Sequence, residues 1–359
     1  MVFYFFPLTL LTLIFIGSNI RKYKGFFNKK ITYYSVCALF IIFICFRYDI
    51  GCDWDTYEFN FKLIRDNSFS YILKNQNKFF DLGYSIVAKL ISYFFGFKEL
   101  IFIYGILFLI PLFVFLEDLK NKYLALLVAY PYFIVVVGMG PIRQSAAIGF
   151  FMLSLLYFAE KKNKLFYFSS LLSILFHHSA ILCISLLVIL KIKSEKFKID
   201  LAGKLFCILA FILFIYGSPE FLGKIIIYFK YIKEGIMASK GAIFVWFINF
   251  FPFILFLKNY KKFILISNLK SFFKIFSIIQ ILLFPVLFIN STITYRLLIY
   301  FFPASIYISS CLPEIVNSKN QKILISFILI FFAYLSLAVW LKFAFHNYCW
   351  IPYKNILLN

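Results

Sequence analysis

The chain has 359 residues, 63% of them hydrophobic and 23% aromatic, with only 14% charged. Those proportions leave too little polarity to clothe a soluble domain, and they exclude a soluble enzyme, a nucleic-acid module and a disordered tail. The net charge of +22, from 37 Lys+Arg against 15 Asp+Glu, would point to nucleic acid in a soluble chain. In a membrane protein it records basic cytoplasmic loops instead. The expectation is an all-α, polytopic integral membrane protein, built as one transmembrane domain over residues 1–359.

Apolar runs long enough to cross at about 1.5 Å per residue occur at about 2–20, 31–46, 99–116, 123–139, 142–159, 201–217, 243–257, 272–290, 296–312 and 323–341. They predict about ten full spans. Two further runs do not fit a simple crossing. The run at 82–96 is short and contains Lys89, and the run at 165–190 is long and interrupted by His177 and His178. Both read as broken or re-entrant helices.

The basic cluster Arg21, Lys22, Lys24, Lys29 and Lys30 places the first connection inside and sends residues 47–81 outside. With both irregular runs returning to their own face, 22 of the 37 basic residues fall inside, and both termini lie outside. The external face then collects the loop 47–81, the Gly138–Gln144 connection, the segment 218–242, the Arg296 helix start and the tail 342–359. In 218–242, apolar residues alternate with Lys224, Lys230 and Lys233, as in an amphipathic helix on the membrane surface or a lid.

Five constellations carry candidate chemistry. In RYDIGCDWDTYEFNF, Arg47 closes an apolar run, Gly51 permits a tight turn, and Asp49, Asp53, Asp55 and Glu58 follow; a solvated acidic loop is the plainer reading of the acids. The seven cysteines, at 37, 45, 52, 183, 207, 311 and 349, show no CxxC and no zinc spacing, so they read as unpaired filler. In GMGPIRQSAAIGFF, Gly138, Gly140 and Pro141 end one helix. Arg143 and Gln144 then fall in the first turn of the next, where amide N–H groups and a guanidinium suit a phosphate. A snorkelling arginine is the alternative. Ala146, Ala147 and Gly149 beyond it allow close helix packing.

In LFHHSAILC, two histidines and Ser179 interrupt an apolar run and must face protein or a cavity. Structural and functional roles stand equally open there, and Ser179 beside His178 is not read as a nucleophile pair. In TYRLLIYFFP, Arg296 opens a span with Tyr300 one turn below on the same face. In the tail HNYCWIPYKNIL, Trp350, Pro352 and Tyr353 read first as an interfacial belt with a rigid turn, a reading that can coexist with an aromatic surface for sugar rings.

Taken in order, Arg47 with GCDWDTY, PIRQSAAIGFFMLSLLYF, FHHSAIL, YRLLIYF and WIPYKNIL resemble the EpsG/Wzy-type polysaccharide polymerases. The resemblance spans nearly the whole chain. Cys52 stands where that family more commonly has Thr, and Trp54 where it has Tyr. The resemblance implies a glycosyltransferase of the bacterial inner membrane, acting at its external face on undecaprenyl-diphosphate-linked oligosaccharides as donor and acceptor. It would need no cofactor and no metal. Membrane lipids and a chain-length regulator are the further partners expected, and nucleic acid is not one.

Within that reading Arg47, Arg143 and Arg296 contact the diphosphate, and Asp53 or His178 is the base. Gln144, Tyr300, Tyr353 and Lys354 complete the substrate-binding set. Arg47, Arg143, Arg296 and His178 are expected to converge on one external cavity. A lipid-linked oligosaccharide flippase, an oligosaccharide ligase and a polyprenyl-phosphate-dependent glycosyltransferase are the alternatives.

Overall fold

The computed structural model describes residues 1–20, 24–27, 30–74, 81–194, 200–211, 241–263 and 269–358. Nearly all of the amphipathic segment expected at 218–242 therefore lies outside the described residues. The helices are α1 (Val2–Asn19), α2 (Lys30–Cys45), α3 (Trp54–Asp66), α4 (Leu82–Ser92), α5 (Phe97–Glu117) and α6 (Lys122–Ala129). The last of these continues as a wider, π-type stretch, Tyr130–Val137. There follow α7 (Ile142–Ala159), α8 (Asn163–Phe176), α9 (Ala180–Ser194), α10 (Ala242–Lys258), α11 (Lys270–Ile289) and α12 (Ser291–Leu298). A tight turn, Ile299–Phe301, leads into α13 (Phe302–Cys311), and α14 is Lys319–Phe343. Among the described residues there is no strand, only an isolated bridge between Arg47 and Asn355.

This is the all-helical, multi-pass protein that the composition demands, since hydrocarbon leaves backbone groups no partner outside their own helix. The expected ten spans are not confirmed. Among the described residues, six helical stretches are long and apolar enough to cross: Val2–Asn19, Phe97–Glu117, Ile142–Ala159, Lys270–Ile289, Ser291–Glu314 and Lys319–Phe343. Others are as long as their apolar runs but short for a full crossing: α2 has 16 residues and ends at Cys45, where the chain turns toward Arg47, and α10 has 17. The run 165–190 is two helices separated at His177–Ser179, the break that its polar residues foretold.

Two compact units interleave along the chain. The first comprises Met1–Asp66, Ala88–Ala146 and Ile306–Asn359, and the second Asn67–Val87 and Ala147–Ser305. In the first unit α1 packs on α6, α2 on α5, and α14 on α6 and its π-type continuation. Gly105 of α5 lies so close to α2 that a Cβ would stand 2.5 Å from Cys45 Sγ. Tyrosine hydroxyls bridge neighbouring helices through carbonyls: Tyr33 donates to Phe113 O and Tyr130 to Tyr4 O, each at 2.7 Å. Both rings are buried, so each phenol needs such a partner.

In the second unit α10, α11 and α12 pack together. Trp246 Nε1 donates to Gln280 O at 2.7 Å while Gln280 Nε2 donates to Trp246 O at 2.8 Å, a reciprocal pair that fixes the α10–α11 register. The small residues of α7 do admit a close neighbour: Ser173 Oγ of α8 reaches Ala147 O at 2.7 Å, and Ser154 and Ser169 hydroxyls meet at 2.9 Å. Outward faces carry Phe288, Phe327 and Phe331, more than half exposed, as lipid-facing helices do.

Candidate functional site

In the first unit the site is assembled where α2 ends. The last carbonyls of any helix lack intrahelical donors, and here Arg47 and the chain's own tail supply them. Asn355 Nδ2 donates to Ile42 O at 3.1 Å, Tyr353 Oη to Phe43 O at 2.7 Å, Arg47 Nη1 to Ile44 O at 2.8 Å, and Ile356 N to Phe46 O at 2.8 Å. The Tyr353 ring stacks on Phe43 at 4.5 Å. Lys354 pairs with Asp49, and Tyr48 N donates to Lys354 O at 3.1 Å. A disulfide between Cys52 and Cys349 fastens the two segments, so the first loop and the tail share one face.

That disulfide corrects the expectation that all seven cysteines are unpaired. Spacing along the chain cannot reveal a partner 297 residues away. The tail also corrects the expectation of an interfacial belt at Trp350. Its indole is buried, donates to Val135 O at 3.1 Å, and lies against Gly140, where an added Cβ would meet the ring at 3.3 Å.

Gly51 makes the turn the sequence asked of it. Its φ is +102°, and a Cβ would stand 2.7 Å from Met139 O. The first loop is thus held against the Gly138–Pro141 connection, after which α7 begins with Arg143 and Gln144 in its first turn. Gln144 is buried and Arg143 half-buried, its guanidinium carbon 5.9 Å from the centroid of the Tyr57 ring. Burial raises the pKa of the Tyr57 phenol, and Arg143 opposes the shift.

Arg47 is 1% exposed. Tyr4, Cys45, Tyr57 and Tyr353 surround it, and its Nε and Nη2 have no hydrogen-bond partner. Burial draws its pKa down to about 10.

The acids of this loop are mostly accounted for. Asp49 has Lys354, Glu58 has Lys62 at 2.8 Å, and Asp55 sits in the first turn of α3, where the helix dipole favours it. Asp53 is exposed just ahead of α3. Lys89, the charge that marked 82–96 as irregular, is buried and donates from Nζ to Arg65 O at 2.9 Å and Ile64 O at 3.3 Å, capping the far end of α3.

In the second unit the site forms at the break between α8 and α9. The start of α4 packs so tightly on the end of α8 that a Cβ on Gly83 would stand 2.8 Å from Leu175 O. This close approach brings Asp81, the residue before α4, to His178. Asp81 Oδ1 contacts His178 Nδ1 and accepts the His178 backbone N–H at 3.4 Å. The carboxylate is 5% exposed and the imidazole about one-third exposed. Beside it, Ser179 Oγ lies 2.7 Å from His177 Nδ1 and 3.2 Å from the Tyr300 hydroxyl. Tyr300 is fully buried edge-on against Phe151.

Sequence reasoning missed Asp81, which it took as the end of the first external loop. The available signal was an acid directly before an apolar helix that begins Leu82-Gly83. Arg296 also needs correction. It does not open its helix, which starts at Ser291 with Asn290 Oδ1 accepting Ile293 N at 3.0 Å; Arg296 is exposed in the second turn. The tight turn Ile299–Phe301 intervenes, so Tyr300 is not one regular α-turn below it.

A multi-pass helical membrane protein, with polar side chains gathered where its helices break, is the class that fold and site define. The chain belongs to the EpsG family, whose model matches residues 30–355. That membership indicates, in general terms, a polysaccharide polymerase-type function carried out by a membrane-embedded, glycosyltransferase-like protein. No curated protein and no solved structure matches the chain.

Proposed function

We propose that the protein is a polysaccharide polymerase that joins undecaprenyl-diphosphate-linked repeat units at the external leaflet of the bacterial inner membrane. The observation that carries this reading is the Asp81–His178 pair. A buried carboxylate on Nδ1 orients the imidazole, stabilises its protonated form and leaves Nε2 as the basic atom. His178, rather than the exposed Asp53, is then the base that takes the proton of the acceptor hydroxyl.

Arg143 and Gln144, at the start of α7, are assigned to the diphosphate. A planar guanidinium beside first-turn amide groups matches its oxygens, and charge stabilised there assists departure of the lipid carrier. Arg47 and Arg296 are each assigned to a phosphate group of a lipid-linked substrate, and Tyr300, Tyr353 and Lys354 to substrate binding. The external assignment of the first loop and the tail is supported by the Cys52–Cys349 disulfide, a bond that persists on the oxidising side of the membrane.

The test is incubation of the purified protein with synthetic lipid-diphosphate repeat units. A ladder of lengthening glycans with release of lipid diphosphate is expected. Unchanged units, or units moved across a vesicle membrane without bond formation, would reject the proposal.

A further inference from the structure

The buried face of α3 is built from Trp54, Tyr57, Phe61 and Ile64, which recur at helical spacing. The outer two of its rings meet aromatic neighbours. Trp54 lies edge-on to Tyr48 at 5.6 Å and to Phe97 at 5.1 Å, and Phe61 lies 6.0 Å from Phe97. Tyr57, in the turn between them, meets a cation. Its ring centroid is 5.9 Å from the guanidinium carbon of Arg143, at the outer edge of cation–π range.

Both partners start from one fixed joint. Trp54 N donates to Gly51 O at 3.0 Å and Tyr57 N to Asp53 O at 2.9 Å, so the first turn of α3 grows directly out of the Gly51 turn. That turn is pressed on Met139 O, and the disulfide at Cys52 ties it to the tail. Arg143 belongs to the first turn of α7, only four residues beyond Met139. The distance from phenol to guanidinium is therefore set by backbone contacts at both ends.

The phenol interacts with Arg143 through its hydroxyl as well as its ring. Arg143 lowers the Tyr57 pKa by charge and by hydrogen bonding, but burial is the larger influence and keeps it raised. Tyr57 thus stays neutral where a glycan-forming enzyme works. A carboxylate in its place would orient the guanidinium and also cancel its charge, whereas a neutral phenol orients it and leaves the charge for an anion. Arg143 is only half-buried, so the held group is not sealed from solvent.

We propose that Tyr57 is a positioning residue of this site: its ring and hydroxyl hold the Arg143 guanidinium in the orientation that takes the lipid-linked diphosphate, without neutralising it. This inference rests on the assignment of Arg143 to the diphosphate. A long side chain held in advance gives up less rotamer freedom when the anion arrives.

The experiment is a double-mutant cycle read by calorimetric titration of the detergent-solubilised protein with farnesyl diphosphate, a short polyprenyl diphosphate. Tyr57→Phe keeps the ring and should weaken binding about 3-fold, and Tyr57→Leu removes ring and hydroxyl and should weaken it about 10-fold, the scale of ordering one long side chain on binding. Tyr57→Phe removes a single oxygen, so it carries the test if Tyr57→Leu fails to fold. In protein already carrying Arg143→Gln, both changes should leave the affinity within about 2-fold, because no guanidinium remains to be held.

Affinities equal to wild type in Tyr57→Phe and Tyr57→Leu would overturn the proposal. So would equal losses with and without Arg143, since Tyr57 would then act on the ligand or the fold by itself. Arg143→Gln binding as tightly as wild type would overturn the phosphate assignment and this inference together. The expected affinities in a protein that joins no lipid-linked units would leave the positioning role standing and count against the polymerase reading alone.

Discussion

Replacing Arg47 with methionine separates a working cation from a structural one. The side chain is 1% exposed and makes one hydrogen bond, from Nη1 to Ile44 O. Burial draws its pKa down from the ordinary guanidinium value to about 10, which at about 1.4 kcal/mol per unit corresponds to about 3 kcal/mol against the charged form. The bond to the helix-end carbonyl returns about 1.5–3 kcal/mol, so the charge contributes little or nothing net to stability. A buried charge replaced by an apolar side chain of similar volume is often neutral or stabilising, by about 1–4 kcal/mol.

Arg47→Met should therefore keep or raise the thermal midpoint of the detergent-solubilised protein, measured by retention of its monodisperse peak after heating. Elongation of lipid-diphosphate repeat units should fall about 100-fold or more, the scale of removing one electrostatic stabiliser. The sign with pH follows. Above about pH 10 the unfolded chain keeps a proton that the folded chain releases, so the wild type should gain stability relative to the variant as pH rises from there. A midpoint that drops sharply would show that the guanidinium holds the fold. Unchanged elongation would remove Arg47 from the diphosphate site.

Arg143→Lys should lose most activity despite keeping its charge, because an ammonium cannot grip two phosphate oxygens in a planar fork; normal polymer from Arg143→Ala at normal protein level would refute the assignment. Gly51→Ala should destabilise by about 1–3 kcal/mol, since φ +102° disfavours any side chain and the atom it would strike is backbone. A thermal midpoint equal to wild type would contradict that. Labelling of single cysteines should find Leu358 accessible from outside the cell and Lys261 from inside; modification of both from one side would sink the topology. Activity should persist in EDTA, because leaving-group charge is assigned to guanidinium groups, and loss restored by one divalent ion would count against that mechanism.

Composition alone determined that the chain is a helical, multi-pass membrane protein, because hydrocarbon admits no other way to satisfy the backbone of so apolar a sequence. Local residue chemistry located the breaks at Gly140-Pro141 and at His177-His178, and the turn at Gly51, since glycine, proline and clustered polar side chains act within a few residues of themselves. Run length did not yield the number of crossings, because helices of 16 or 17 residues, such as α2 and α10, lie at the margin of what spans a bilayer.

What the tertiary structure decided are the partners. Cys52 meets Cys349, Arg47 and Tyr353 share the end of α2, and Asp81 comes to His178 only because Gly83 lets α4 lie directly on α8. Each of these pairings depends on packing between segments far apart in the chain, and packing distance leaves no periodic trace in the sequence.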